Sequence, residues 1–157
     1  MSSERHRDDR SIYDFLGEAL VVCPRCAYLA RSRAIDPAST DLSAPRRLTC
    51  DHCGHMRSWE RESPRRQRSR ARVLDAYFGL PVWLQARCCG ELLWAYNTDH
   101  LAFLEAFVRA RLRERRRSAE YGWSNQALIS RLPAWLKARR NRDEVLACIE
   151  RMRKTLA

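Results

Sequence analysis

The chain has 157 residues, 45% of them hydrophobic, with only five glycines, which argues against wholesale disorder and fits one domain or a small module with a modest second layer. No window approaches the roughly 18 uncharged apolar residues of a membrane span, so a membrane protein is not expected. The net charge of +11 lies beyond residue 56: residues 1–56 carry eight arginines and eight acids, and residues 57–157 carry 22 basic and 11 acidic side chains.

Residues 1–10 are charged throughout and lack the apolar core of a signal peptide, so they are expected to be a flexible tail on a cytoplasmic protein. Ile12 to Val22 is apolar with few breakers and predicts a strand entering Cys23-Pro24-Arg25-Cys26. The segment from Arg31 to Arg46 is rich in Ser, Asp, Ala and Pro and predicts a loop. Arg47-Leu48-Thr49-Cys50 then enters a second knuckle, Cys50-Asp51-His52-Cys53-Gly54-His55, and Met56 to Trp59 leaves it as a strand. Strand, knuckle, loop, strand, knuckle, strand is the plan of a zinc ribbon, expected over residues 11–60.

Two C-x-x-C turns each offer a pair of thiolates, and together they complete a tetrahedral shell. Cys23, Cys26, Cys50 and Cys53 are therefore the expected ligands of one structural Zn2+. A filled shell has no open position for water or substrate, so the ion would supply folding energy to a module too small for a core of its own. An odd count of seven cysteines fits a reducing compartment better than a disulfide framework. His52 and His55 flank a set that is already complete, and are expected to be exposed or hydrogen-bonded beside it.

Residues 61–72 form a charge run with Arg65, Arg66, Arg68, Arg70 and Arg72, expected to be a linker. Two readings apply to it: a clamp that neutralises phosphates through forked hydrogen bonds, or a solvated linker kept soluble by charge. In the remaining segment, 73–157, Pro81 to Arg87 and Glu91 to Tyr96 predict a hairpin about a Cys88-Cys89-Gly90 turn. Its adjacent cysteines could pack as small hydrophobes, form a strained vicinal disulfide, bind a second metal with Cys148 or His100, or act as a redox pair. Trp83 and Trp94 are expected in the core, with a stacking platform for bases as the alternative.

Asn97 or Thr98 can cap a helix running to about Arg117, with Leu101, Leu104, Phe107, Val108 and Leu112 on one face. Glu105 and Arg109 form an i,i+4 pair on it. Arg113, Arg116 and Arg117 spread around its end, where basic residues also complement the helix dipole. Tyr121-Gly122-Trp123 predicts a break, followed by a short helix from Ser124 to Leu132 and another opened by Pro133 through Arg140. Asn141 and Glu144 have the spacing of a capping box for a last helix with Val145, Ile149, Met152 and Leu156 as its stripe. Arg139 and Arg140 join a third basic cluster. The fold class expected is thus α+β: a zinc ribbon, then a β-hairpin and three to four C-terminal helices.

Gly79-Leu80-Pro81-Val82-Trp83-Leu84, Cys88-Cys89-Gly90-Glu91-Leu92-Leu93-Trp94-Ala95-Tyr96-Asn97 with His100-Leu101, and Arg131-Leu132-Pro133-Ala134-Trp135 with Asn141-Arg142 resemble, together with the two knuckles, a group of small bacterial zinc-ribbon proteins labelled as of the transcription-factor-IIB type. The resemblance covers roughly residues 20–155. It implies a metal-binding fold, carries no established activity, and points to transcription only by fold analogy.

No catalytic constellation is present: there is no Gly-rich phosphate loop, no H-E-x-x-H, and no H-x-E to partner Cys23-Pro24-Arg25-Cys26 as a deaminase requires. A non-enzymatic protein without a small-molecule substrate is expected. Its 28 arginines against two lysines suit phosphate contacts, although a GC-rich genome produces the same bias. The leading expectation is nucleic-acid binding, DNA or RNA, through Arg65, Arg66, Arg68, Arg70, Arg72, Arg113, Arg116, Arg117, Arg139 and Arg140. The rival is an adaptor that docks the ribbon and aromatic hairpin onto a larger bacterial complex, and a third class is a thiol redox sensor.

Overall fold

The computed structural model describes residues 11–60, 72–114 and 131–156. Arg65, Arg66, Arg68, Arg70, Arg116, Arg117, the Tyr121-Gly122-Trp123 break and most of the helix expected from Ser124 lie outside the described residues, as does the side chain of Arg113. The chain is α+β. Four strands, β1 (Glu18–Val22), β2 (Leu29–Ala34), β3 (Arg46–Thr49) and β4 (Met56–Trp59), form an antiparallel sheet in sequence order. A second, two-stranded sheet is the hairpin of β5 (Leu84–Cys88) and β6 (Glu91–Ala95). Among the described residues three α-helices follow: α1 (Thr98–Glu114), α2 (Ala134–Lys137) and α3 (Arg142–Lys154).

The ribbon holds one strand more than the sequence predicts. Leu29–Ala34 is a strand and not part of a loop, pairing Arg33 with both Glu18 and Arg47 and Ser32 with both Ala19 and Leu48. Its inward residues, Ala30 and Ser32, are fully buried but small or polar, so its period-2 pattern has almost no hydrophobic amplitude. The true loop is residues 35–45, where Asp36 Oδ1 accepts from Ala38 N at 3.0 Å and Asp41 Oδ1 from Ser43 N at 2.9 Å, as Asx turns do.

The strand expected over Ile12 to Val22 is also divided. Ile12–Phe15 is a 3-10 turn, and Ile12, Phe15 and Leu16 are buried, at a helical i, i+3, i+4 spacing. One face of the four-stranded sheet is buried through Ala19, Val21, Ala30, Ser32, Leu48, Arg46 and Trp59.

Strand β1 faces a second partner across its outer edge. Leu20 N donates to Tyr96 O at 2.7 Å, Val22 N to Pro81 O at 2.9 Å, and Trp83 N to Leu20 O at 2.9 Å. The buried apolar side chains accordingly form one cluster that runs from Ile12 and Leu48 through Val82 and Leu93 to Leu104, Cys148 and Ile149. Trp83 and Trp94 are half-buried against it; Trp83 Nε1 donates to Thr155 Oγ1 at 3.1 Å and Trp94 meets Tyr96 edge-on. They pack as core aromatics rather than as an open platform.

Two buried polar groups hold these layers in register. Arg46, only 3% exposed, donates to Leu16 O at 2.7 Å and to Ser32 O at 3.0 Å, with its guanidinium 4.0 Å above the Tyr77 ring. Asp75 accepts from Tyr77 N, Phe78 N and Leu80 N at 3.0, 2.9 and 2.7 Å, tying off the segment that leads into the hairpin. Each polar atom is taken out of water with a partner in place, the condition under which burial is tolerated.

Helix α1 is capped by Asn97, whose Oδ1 accepts from His100 N at 2.8 Å and whose Nδ2 donates to Phe15 O and Glu18 O at 2.8 and 2.7 Å. It pairs with α3, and Glu105 on α1 bonds both Arg109 at 3.2 Å and Arg153 of α3. These guanidiniums, Arg153 first, hold the Glu105 carboxyl below its ordinary pKa. The expected capping box of α3 does not form. Asn141 has helical angles, φ −94° and ψ −5°, because a 3-10 turn at Arg139–Asn141 replaces the end of the longer helix expected after Pro133. Its Nδ2 donates to Trp135 O at 2.8 Å, and Glu144 is turned toward the hairpin instead.

Candidate metal centre

Cys23 and Cys26 lie between β1 and β2, and Cys50 and Cys53 between β3 and β4, so two hairpin ends of one sheet carry the four thiols. The two loops have the same backbone. Cys23 N donates to Tyr28 O at 2.7 Å and Ala27 N to Cys23 O at 3.0 Å; the matching bonds are Cys50 N to His55 O at 2.9 Å and Gly54 N to Cys50 O at 2.8 Å. Both loops need a left-handed residue after the second cysteine: Gly54 at φ 76°, and Ala27 at φ 65°.

The sulfurs converge. Cys23 Sγ lies 3.7 Å from Cys53 Sγ, Cys26 Sγ lies 3.6 Å from Cys50 Sγ, and all four fall within 4.8 Å of one another. A tetrahedron with zinc–sulfur bonds of about 2.3 Å has sulfur–sulfur edges of about 3.8 Å, so the spacing fits one such ion. Cys23 and Cys50 are buried, and Cys26 and Cys53 half-buried.

Burial and hydrogen bonding shift two of the four thiols in opposite directions. At Cys23, burial opposes ionisation, but N–H groups of Cys26 and Arg25 and the neighbouring thiols outweigh it and bring the thiol down to about 7. Burial pushes Cys26 up to about 12, and its bonding with Cys50, Cys53 and Cys23 adds to the rise. Four thiolates within 4.8 Å of one another would repel, and a cation in their midst would offset that repulsion. Cys23, Cys26, Cys50 and Cys53 would hold the ion, with all four positions filled by sulfur.

Neither His52 nor His55 joins this group of sulfurs. His52 instead stacks on Tyr28, ring centroids 3.7 Å apart and 11° between planes. This pair joins the two knuckles at the surface, with Tyr28 55% exposed. Composition and periodicity give no sign of it, since the two residues belong to different loops.

The opposite face of the sheet, open except at the buried Leu20, carries a basic row that the sequence does not reveal. Cross-strand register aligns Glu18, Arg33, Arg47 and Ser58, and beside them Leu20, Arg31, Thr49 and Met56. Glu18 bonds Arg31 at 3.1 Å and also Arg33, so one carboxylate faces two guanidiniums with Arg47 exposed alongside. The balanced charge of the ribbon's sequence conceals this, because Asp36 and Asp41 are in the 35–45 loop. Of the downstream arginines proposed from sequence, Arg72, Arg139 and Arg140 are exposed.

His100 does not join Cys88 and Cys89. It is 2% exposed, its Nδ1 accepts from Tyr96 N at 3.0 Å, and its ring stacks on Phe15. Burial lowers its pKa to about 4, so it is a neutral core residue.

The fold and site together define an α+β protein with a four-cysteine cluster that could hold one metal ion at the tip of an antiparallel sheet. No protein-family model matches the chain, and comparison with curated proteins and with solved structures gives no match.

Proposed function

We propose that this chain is a zinc-stabilised, non-enzymatic module that binds nucleic acid through exposed arginines. Zinc is the ion the donor set favours: four thiolates at tetrahedral spacing suit a borderline-soft cation that makes no further geometric demand. The observation that carries the binding reading is the open sheet face, where Arg31, Arg33 and Arg47 are set side by side on a chain whose net charge is +11. Guanidiniums so placed neutralise phosphates along a strand without reading its sequence. The exposed Tyr28–His52 stack at the ribbon tip offers a flat face to an unpaired base. The arginines of 65–72, with Arg139 and Arg140, would extend the cationic surface.

The test is fluorescence anisotropy with single- and double-stranded DNA and RNA at rising salt. Affinity is expected to fall by orders of magnitude between about 50 and 200 mM salt. Arg33→Ala with Arg47→Ala, and separately Arg65, Arg66, Arg68 and Arg70 to Ala, are expected to weaken binding and flatten the salt slope. Tyr28→Ala should cost about 1–3 kcal/mol on single strands only. Absence of salt-dependent binding to any of these polymers by the zinc-loaded chain would overturn the reading and favour docking to a protein.

A further inference from the structure

The hairpin that ends in Cys88-Cys89-Gly90 has an unusual turn. Cys89 and Gly90 are its two central residues, between the paired Cys88 and Glu91, and both have positive φ, 55° and 76°. Such a turn is ordinarily made by Asn-Gly or Asp-Gly, and a cysteine held there is strained. The strain has a geometric result. Consecutive residues of a strand point to opposite faces, yet here the left-handed step brings Cys89 Sγ to 3.7 Å from Cys88 Sγ.

Helix α3 completes the surroundings. Cys148 is fully buried under β5 with its Sγ 3.9 Å from Arg87 O, and it lies close enough to Cys88 for charge on one to oppose charge on the other. One turn before Cys148 on the same helix face, Glu144 reaches back so that its Oε1 accepts from Cys89 N at 3.0 Å. The donor atoms of Cys88, Cys89 and Glu144 lie within 4.8 Å of one another. Glu144 is exposed and Cys89 half-buried, whereas Cys88 and Cys148 are buried, so the donor cluster opens to water on the Glu144 side.

We propose that Cys88, Cys89 and Glu144, backed by Cys148, form a second metal site for a thiophilic d10 divalent cation, zinc or its heavier congener cadmium. Two or three sulfurs and one carboxylate oxygen are a donor set such ions accept. On binding, Cys88 and Cys89 each release a proton to water and no electron moves. The open side of the site makes the ion exchangeable. This site does not rest on the nucleic-acid reading.

The experiment is a Cd2+ titration of the reduced full chain followed by native mass spectrometry and thiolate-to-cadmium absorbance. Two ions per chain are expected for the wild type, the second lost first to a chelator. Cys89→Ser with Glu144→Gln, neither at a fully buried position, should bind one ion and keep the wild-type circular dichroism. Because Cys88→Ala could disturb packing, Cys89→Asn serves as a further variant: it should relieve the turn, raise thermal stability, and still bind one ion. A wild type that takes one ion, or variants that take two, overturns the proposal.

Discussion

Ala27 and Gly54 occupy the same place in two loops of the same shape, but only glycine enters left-handed backbone without steric cost. A Cβ built on Gly54 meets no atom within 4 Å, so Gly54→Ala should destabilise through the backbone alone, by about 1 kcal/mol. Ala27→Gly should do the opposite, with a gain of about 0.5 kcal/mol after allowing for the freer unfolded chain. Chemical denaturation of the zinc-loaded variants measures both. Arg46 is a different case, because its removal strands buried carbonyls of Leu16 and Ser32. Arg46→Ala is expected to cost about 3 kcal/mol, read from the same denaturation curves. The cysteine spacing made the first of these sites legible, since knuckle geometry is local. Arg46 was not legible as a core residue: arginine is ordinarily exposed, and the carbonyls it serves come from strands and turns distant in sequence.

At the scale of elements, the hairpin and the long helix could be anticipated because their apolar periods are strong, with Leu101, Leu104 and Val108 all buried. Strand β2 could not, since Ala30 and Ser32 carry its inward face with little hydrophobic signal. The junction of α1 with β6 makes a pH prediction. His100 is neutral in the fold, with a pKa of about 4, against about 6.5 in an unfolded chain. Its contribution is therefore complete above the unfolded value and is lost as pH falls from about 6.5 to about 4, by up to about 3 kcal/mol. Thermal midpoints across that range should fall more steeply for the wild type than for His100→Gln. An NMR titration of His100 that showed protonation near neutral pH would contradict this.

For the whole molecule, the shared core decides how metal loss is felt. The boundary drawn from sequence at residue 60 separates two compositions, but Leu20 and Val22 bond Tyr96 and Pro81 across it. Chelation of the zinc-loaded protein, or Cys50→Ser, is expected to unfold the ribbon and to lower hydrogen-exchange protection in the hairpin in the same step. An unchanged fold after complete metal removal would refute a structural centre. A chain restricted to residues 11–60 should be markedly less stable than the same residues in the full protein, even with zinc, because β1 then loses the cover on its outer edge. Pairing of this kind is invisible to composition: it is set by which strand edge the later hairpin meets.

That outer edge of β1 has a consequence for proteolysis. With an ion held by the four cysteines, the peptide bonds around Pro81, Val82 and Trp83 would stay against Leu20 and Val22, out of reach of a protease. Loss of that ion is expected to release the same stretch without any change in its own residues. A cut there would make cleavage far from the cysteines a gauge of whether the ion is in place.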